Sequence, residues 1–225
     1  MAVWHEFATP DEAGDALAAA VAPLLAAAVE RAGRAFIAVP GGNTPGPFLA
    51  ALSRHDLPWS AITILPTDER FVSPDDPQSN ERMIRANMPA LASGAAGWLS
   101  FHCDDGTLDA AAATLDARLA ALPPLDVLVC GMGADAHVAS LFPGDPVLKA
   151  GNVSHVVAAR PAGLPPRLSL APARLAEARD AFLLVGGEAK RQALSAAIGR
   201  DRIDAPVALL LSRIRSVEIY WSAVA

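Results

Sequence analysis

Seven short apolar runs, each stopped by glycine, proline or a polar turn, are the feature that most constrains this 225-residue chain. They read "AFIAV" (35–39), "AITIL" (61–65), "LDVLVC" (125–130), "HVVAA" (155–159), "AFLLV" (181–185), "VALLL" (207–211) and "VEIYW" (217–221). Short runs of Val, Ile and Leu between turn residues predict strands covered on both faces. Helical segments fill the intervals. Thr9-Pro10-Asp11-Glu12 is a helix start: Thr9 as N-cap, Pro10 at the first helical position, Glu12 closing a capping box. The alanine-rich stretch then runs to Arg31, and Gly33 suits its end. Further helices are expected from about Pro45 to Ser53, from Asn80, over Thr107–Leu122 and over Glu188–Ile198. Strands separated by helices imply βαβ units. The expected fold is α/β: one domain over residues 1–225, a mostly parallel twisted sheet with helices on both faces.

Composition narrows the function classes. Aromatic residues are 5% of the chain and the net charge is −6, which argues against a nucleic-acid binder while leaving room for a local cation cluster. Two cysteines, Cys103 and Cys130, do not make a disulfide framework. "HCDD" (102–105) has adjacent rather than spaced ligands, so no metal is expected. "MAVWHEF" lacks the pattern of a signal peptide, and the apolar stretch 16–29 contains Pro23 and falls short of a membrane span. A cytoplasmic protein, with no membrane partner, is expected.

In parallel α/β sheets ligands bind outside the carboxyl ends of the strands. Four loops should share that rim. "PGGNTP" (40–45) offers backbone approach at Gly41 and Gly42, with donors on Asn43 and Thr44; Thr44 could instead only cap the next helix. "TDER" (67–70) places Asp68, Glu69 and Arg70 directly after a strand, as a grip for hydroxyls and anions or as a local ion pair. Asn80, downstream, reads as a helix N-cap. "GMGADAHVAS" (131–140) puts His137 beside Asp135 after a glycine turn, a setting for an imidazole base. The spacing Gly131-x-Gly133-x-x-Ala136 also satisfies a dinucleotide fingerprint. That alternative needs a following helix, which "LFPGDP" interrupts, and a later carboxylate, though Arg160 could serve a 2′-phosphate. "VGGEAK" (185–190) sets Lys190 on the first turn of a helix, where a cation is unfavourable unless an anion visits. Arg167, in "PRLSL", supplies another cation.

Taken in order, "PGGNTP", "PTDERFVSPDDPQSN", "GMGADAHVASLFPG", "RLSL" and "GGEAK" resemble the 6-phosphogluconolactonases, relatives of the glucosamine-6-phosphate deaminase/isomerases, over nearly the whole chain. Asp68-Glu69-Arg70 and Ser140-Leu141-Phe142-Pro143-Gly144 match the lactonase pattern. The deaminase pattern has Asp-Glu-Tyr and Phe-Asn-Glu-Pro-Gly, whose glutamate assists ring opening. Two positions depart from the resemblance: Pro40 stands where serine is usual, and Ala136 where glycine is usual. A positive φ at 136 would strain an alanine.

The resemblance implies a Rossmann-like sheet and hydrolysis of 6-phospho-D-glucono-1,5-lactone to 6-phosphogluconate in the oxidative pentose phosphate pathway, without a cofactor. His137, Asp135 and Arg70 are the implied catalytic residues. Gly42, Asn43, Thr44, Asp68, Arg167 and Lys190 would hold the substrate. An amino-sugar-phosphate isomerase, an NADP-dependent oxidoreductase and a non-catalytic sugar-phosphate sensor are the alternatives. Oligomeric state is not readable.

Overall fold

The computed structural model describes residues 2–103, 106–148, 153–198, 205–214 and 217–224. Ten strands follow in chain order: β1 (Ala2–Phe7), β2 (Ala35–Val39), β3 (Ile62–Pro66), β4 (Asp68–Arg70), β5 (Gly97–Trp98), β6 (Val127–Cys130), β7 (Val156–Ala159), β8 (Arg167–Leu170), β9 (Asp180–Gly186) and β10 (Val217–Ser222). The α-helices are α1 (Pro10–Ala32), α2 (Gly46–Leu52), α3 (Asn80–Asn87), α4 (Pro89–Ala92), α5 (Leu108–Ala120), α6 (Pro172–Ala176), α7 (Glu188–Ile198) and α8 (Pro206–Arg213).

Seven strands form one sheet in the order β1-β10-β9-β6-β2-β3-β5. Every pairing in it is parallel. Its strands alternate between two cores. Ile37, Val39, Val127 and Val129 pack with α1, α2 and α3, whereas Phe36, Ala38, Leu128 and Cys130 pack with α5, α7 and α8. Period-two alternation with both faces covered explains why these strands read as unbroken apolar runs.

The helix start at Thr9 forms as expected, with the capping box closed by Glu12 and Gly33 at φ 70 ending the helix. Pro23 does not shorten it. Helix α1 runs 23 residues through that proline and is long and apolar enough to cross a membrane by length and composition alone. Its buried face, Leu17, Val21, Leu25 and Ala28 among others, instead has the spacing of a core helix packed on a sheet.

Three expectations change. "VALLL" is helical, as the first part of α8: Pro206 sits at the helix start, and Val207, Leu210 and Ile214 are buried at helical spacing while Leu209 and Leu211 are not. Its apolar density suggests a strand, but the spacing decides. "HVVAA" does supply β7, but in a separate antiparallel sheet of order β4-β8-β7. "TDER" is not simply loop, because β4 lies within it. Strand β1, which the apolar runs do not include, adds an edge beside β10.

Candidate active site

The four loops do meet on one rim. Strand β2 leads on to β3 on one side, and its other neighbour β6 leads on to β9, so the sheet order reverses between β2 and β6. Such a switch point leaves a crevice at the strand ends. The loops following β2 and β6 flank it and lie against each other there, a Cβ on Gly131 falling 3.6 Å from that of Pro40. A cavity of about 230 Å³ opens at this place. Gly42, Asn43, Thr44, Asp68, Arg70, His137, Arg167 and Lys190 all line it, and Asp135 stands behind His137.

Thr44 is not spent on capping: no side chain caps α2, and neither Asn43 nor Thr44 makes a side-chain hydrogen bond among the described residues. Both remain available to a ligand. Gly41 has a packing role, since a Cβ there would overlap the Asn80 amide.

Strand β4 sorts its three residues by face. Asp68 and Arg70 point to the cavity, and Glu69 points away, as period two requires. The Glu69 carboxylate accepts from the backbone N–H groups of Arg70, Asn80 and Glu81, at 2.7 Å each, and from Ser79 Oγ at 3.0 Å. It therefore caps α3 rather than gripping substrate. Asp68 is buried, receiving Ser140 Oγ at 2.5 Å and Thr67 Oγ1 at 3.3 Å.

Strand register places Arg70 directly opposite Arg167 on β8. Like charges at opposed positions repel. Neither guanidinium is neutralised by an ion pair among the described residues: Arg70 donates to the Gln78 carbonyl and Arg167 weakly to Ser140 Oγ. Both Nε–H groups are buried and unpartnered. Burial pushes the Arg167 guanidinium below its ordinary value, Asp68 supports its charge and Arg70 opposes it. An arginine nevertheless stays protonated. Two unpaired, facing arginines are what an anion would neutralise.

His137 sits on a tight turn closed by Gly133 N–H to the His137 carbonyl and by Ala136 N–H to the Gly133 carbonyl, both 3.0 Å. From the start of α8, Val207 N–H donates to the Ala136 carbonyl at 3.3 Å. Asp135 Oδ1 lies 2.6 Å from His137 Nδ1 and also accepts the His137 backbone N–H at 3.2 Å. Nε2 has no partner among the described residues. Burial alone would raise the Asp135 carboxyl, but the His137 N–H and imidazole hold it below the usual carboxylate range. Phe142 packs against the imidazole, ring centres 4.6 Å apart. Within 131–140 there is no helix, only isolated bridges from Val138 to Met132 and Leu141. The dinucleotide alternative lacks the helix N-terminus that would receive a pyrophosphate.

Ala136 does take the left-handed conformation, at φ 70. That costs an L-residue about 1–2 kcal/mol. Its methyl is fully buried, which returns roughly 0.8 kcal/mol. The turn is also held tight by Gly133, where a Cβ would overlap the His137 ring. Gly133→Ala is expected to fold but to lower kcat about 100-fold, because the imidazole must move by about an ångström. Steady-state kinetics beside a melting curve check this.

Lys190 has no hydrogen bond or ion pair among the described residues, and burial pushes its ammonium below the ordinary lysine value. The start of α7 is fixed by groups that no sequence motif marks. Trp221 Nε1 donates to the Gly187 carbonyl at 3.1 Å, Arg191 lies 4.3 Å from the Trp221 ring centre, and Glu6 pairs with Arg191 at 2.7 and 3.0 Å. Among the described residues no cluster of His, Cys, Asp and Glu could hold a metal ion; Asp104 and Asp105 of "HCDD" lie outside them. The rim thus gathers three cations without ion pairs among the described residues, the buried Asp68 carboxylate and one oriented imidazole, in a chain of net charge −6.

Residues 8–221 match the family described as glucosamine-6-phosphate isomerases/6-phosphogluconolactonase. A 6-phosphogluconolactonase of Rhizobium meliloti (strain 1021) is 37% identical over 229 residues, covering 97% of each chain. One from Pseudomonas putida is 36% identical over 223 residues, 96% of this chain and 91% of that one. Among solved structures, a 6-phosphogluconolactonase from Shewanella baltica OS155 superposes with a TM-score of 0.90 at 30% identity, covering 99% of this chain and 98% of the other.

Proposed function

This chain belongs to the family of glucosamine-6-phosphate isomerases and 6-phosphogluconolactonases, and we propose that it hydrolyses 6-phospho-D-glucono-1,5-lactone to 6-phosphogluconate in the oxidative pentose phosphate pathway, in the cytoplasm. The observation that carries this reading is the Asp135–His137 pair aimed at a cavity lined by Arg70, Arg167 and Lys190. Asp135 receives Nδ1–H, which leaves Nε2 as the basic nitrogen. Nε2 takes a proton from water as its oxygen adds to C1 of the lactone. The carbonyl oxygen becomes an oxyanion, and Arg70 is the donor we assign to it. As the tetrahedral intermediate collapses, the bond from C1 to the ring oxygen breaks, and the imidazolium returns the proton to that oxygen. An activated ester needs no covalent nucleophile.

Thr44, Arg167 and Lys190, with Gly42 and Asn43, are assigned to the phosphate, and Asp68 to the sugar and to supporting the charge of Arg167. Binding energy at the phosphate then holds C1 against the base. The isomerase alternative is disfavoured by Phe142. It lies where the isomerase pattern has its glutamate, and it offers the imidazole an aromatic ring instead of a carboxylate.

Freshly generated lactone, followed against its spontaneous hydrolysis, tests the reading. Turnover well above that background is expected, with no ammonia released from glucosamine 6-phosphate. Ammonia release without lactone turnover would move the chain to the isomerase branch. Binding of hexose phosphates without either reaction would make it a sensor.

A further inference from the structure

We propose that Asn80 is a specificity residue, whose Oδ1 accepts a hydrogen bond from a hydroxyl group of the bound sugar derivative. This rests on the reading of the cavity as a sugar-phosphate site. Asn80 is the first residue of α3, but Ser79 is the N-cap and takes the Arg82 N–H. The Asn80 side chain is therefore free of the capping role its sequence position suggests. It is 2% exposed and lines the cavity. Its Nδ2 donates to the Asp68 carbonyl at 2.7 Å, which fixes the amide orientation, since the reverse would set Oδ1 against a carbonyl oxygen. Oδ1 is left buried and without a partner among the described residues.

What could satisfy it follows from the other groups on the wall. Arg70, Arg167 and Lys190 donate and call for anionic oxygens. Both oxygens of Asp68 already receive hydroxyls, from Ser140 and Thr67. Asn80 Oδ1 needs a hydrogen. A phosphate dianion has none to give, nor has a lactone carbonyl. A sugar hydroxyl has one. The side chain is also held in place on the cavity wall. Its amide packs against Gly41, where a Cβ would overlap it, and its backbone N–H is bonded to Glu69. A site built to pair a hydroxyl discriminates against an analogue lacking it, because its own polar atom is then left buried and unpaired.

The test compares wild type, Asn80→Ala and Asn80→Asp on the lactone and on its 2-, 3- and 4-deoxy counterparts. Wild type is expected to lose about 10- to 100-fold in kcat/KM on one counterpart. Asn80→Ala should lose a similar factor on the parent lactone and nothing further on that counterpart, the coupling a double-mutant cycle detects. Asn80→Asp sets an oxygen against the Asp68 carbonyl in place of the Nδ2 donor and should lose the discrimination; the wild-type series alone preserves the test if neither variant folds. Equal factors for Asn80→Ala on all four substrates would overturn the proposal, since a purely structural role moves them together. So would a wild type indifferent to all three deletions. Should wild type not hydrolyse the lactone at all, the lactonase reading fails separately. The same comparison then runs by calorimetry as Kd for glucose 6-phosphate and its deoxy counterparts, with the same two outcomes.

Discussion

His137→Ala is expected to lower kcat/KM for 6-phosphogluconolactone by about 10²–10⁴-fold, the range that general acid–base catalysis supplies. The fold should survive. The side chain is 28% exposed, and its one hydrogen-bond partner among the described residues is Asp135. Circular dichroism and melting of the variant provide the control. Asp135→Asn separates orientation from chemistry. In the proposed mechanism the carboxylate holds the proton on Nδ1, whereas an amide can hold either tautomer, so kcat should fall with little change in KM. Because Asp135 is half exposed, about 10- to 100-fold is expected rather than the larger loss seen when such a carboxylate is buried. The pH profile carries a sign as well. Asp135 is held below the usual carboxylate range and stays charged as the pH falls through the range where imidazoles titrate. Loss of the Asp135 charge should therefore contribute no step to the kcat/KM profile in that range. Unchanged turnover in His137→Ala would remove the imidazole from the mechanism.

Glu69→Ala is expected to cost about 3 kcal/mol or more of stability and to raise KM. The carboxylate satisfies three backbone N–H groups and a serine hydroxyl, and each buried group left unpaired costs about 1–3 kcal/mol. Burial holds this carboxyl above its ordinary value even against those four donors. At this chain length the loss corresponds to a melting temperature lower by about 6–12 °C. The KM effect follows from position: the same carboxylate orders the backbone of Arg70 and Asn80, both of which line the cavity. Glu69→Gln should be only partly protective, since one amide nitrogen would face an N–H donor. A melting temperature within a degree of wild type would mean that water replaces the carboxylate.

The contrast between these two residues shows what sequence patterns carry and what they do not. Asp135-Ala136-His137 is readable because the chemistry is local: an imidazole and its orienting carboxylate share one turn after a buried strand. "PGGNTP" lines the same cavity from the loop after β2. Glu69 looks equivalent to Asp68, one position away, until strand β4 puts them on opposite faces. A three-residue strand paired with a partner about a hundred residues on leaves no periodicity to detect. The opposition of Arg70 and Arg167 is hidden in the same way. Asn80 is obscured by a neighbour of equal capping propensity, Ser79. "VALLL" misleads when apolar density is weighed above spacing. Parallel order within the main sheet, by contrast, follows from alternation of strand and helix.

The sheet order has a temporal consequence. Among the described residues strand β1 pairs only with β10, from Ala2 against Val217 to Phe7 against Ser222. On leaving the ribosome, β1 therefore has no partner until some two hundred further residues are made. At about 5–20 residues per second that wait is roughly ten to forty seconds. The start of α7, which carries Lys190, is pinned by Trp221 from the late strand, and through Arg191 by Glu6 from the early one. The nascent chain thus cannot complete its imidazole turn before Val207 is made, nor fix its lysine before Trp221. Catalytic competence should arrive as a late, single event once β10 is made, with an unpaired β1 exposed to chaperones until then.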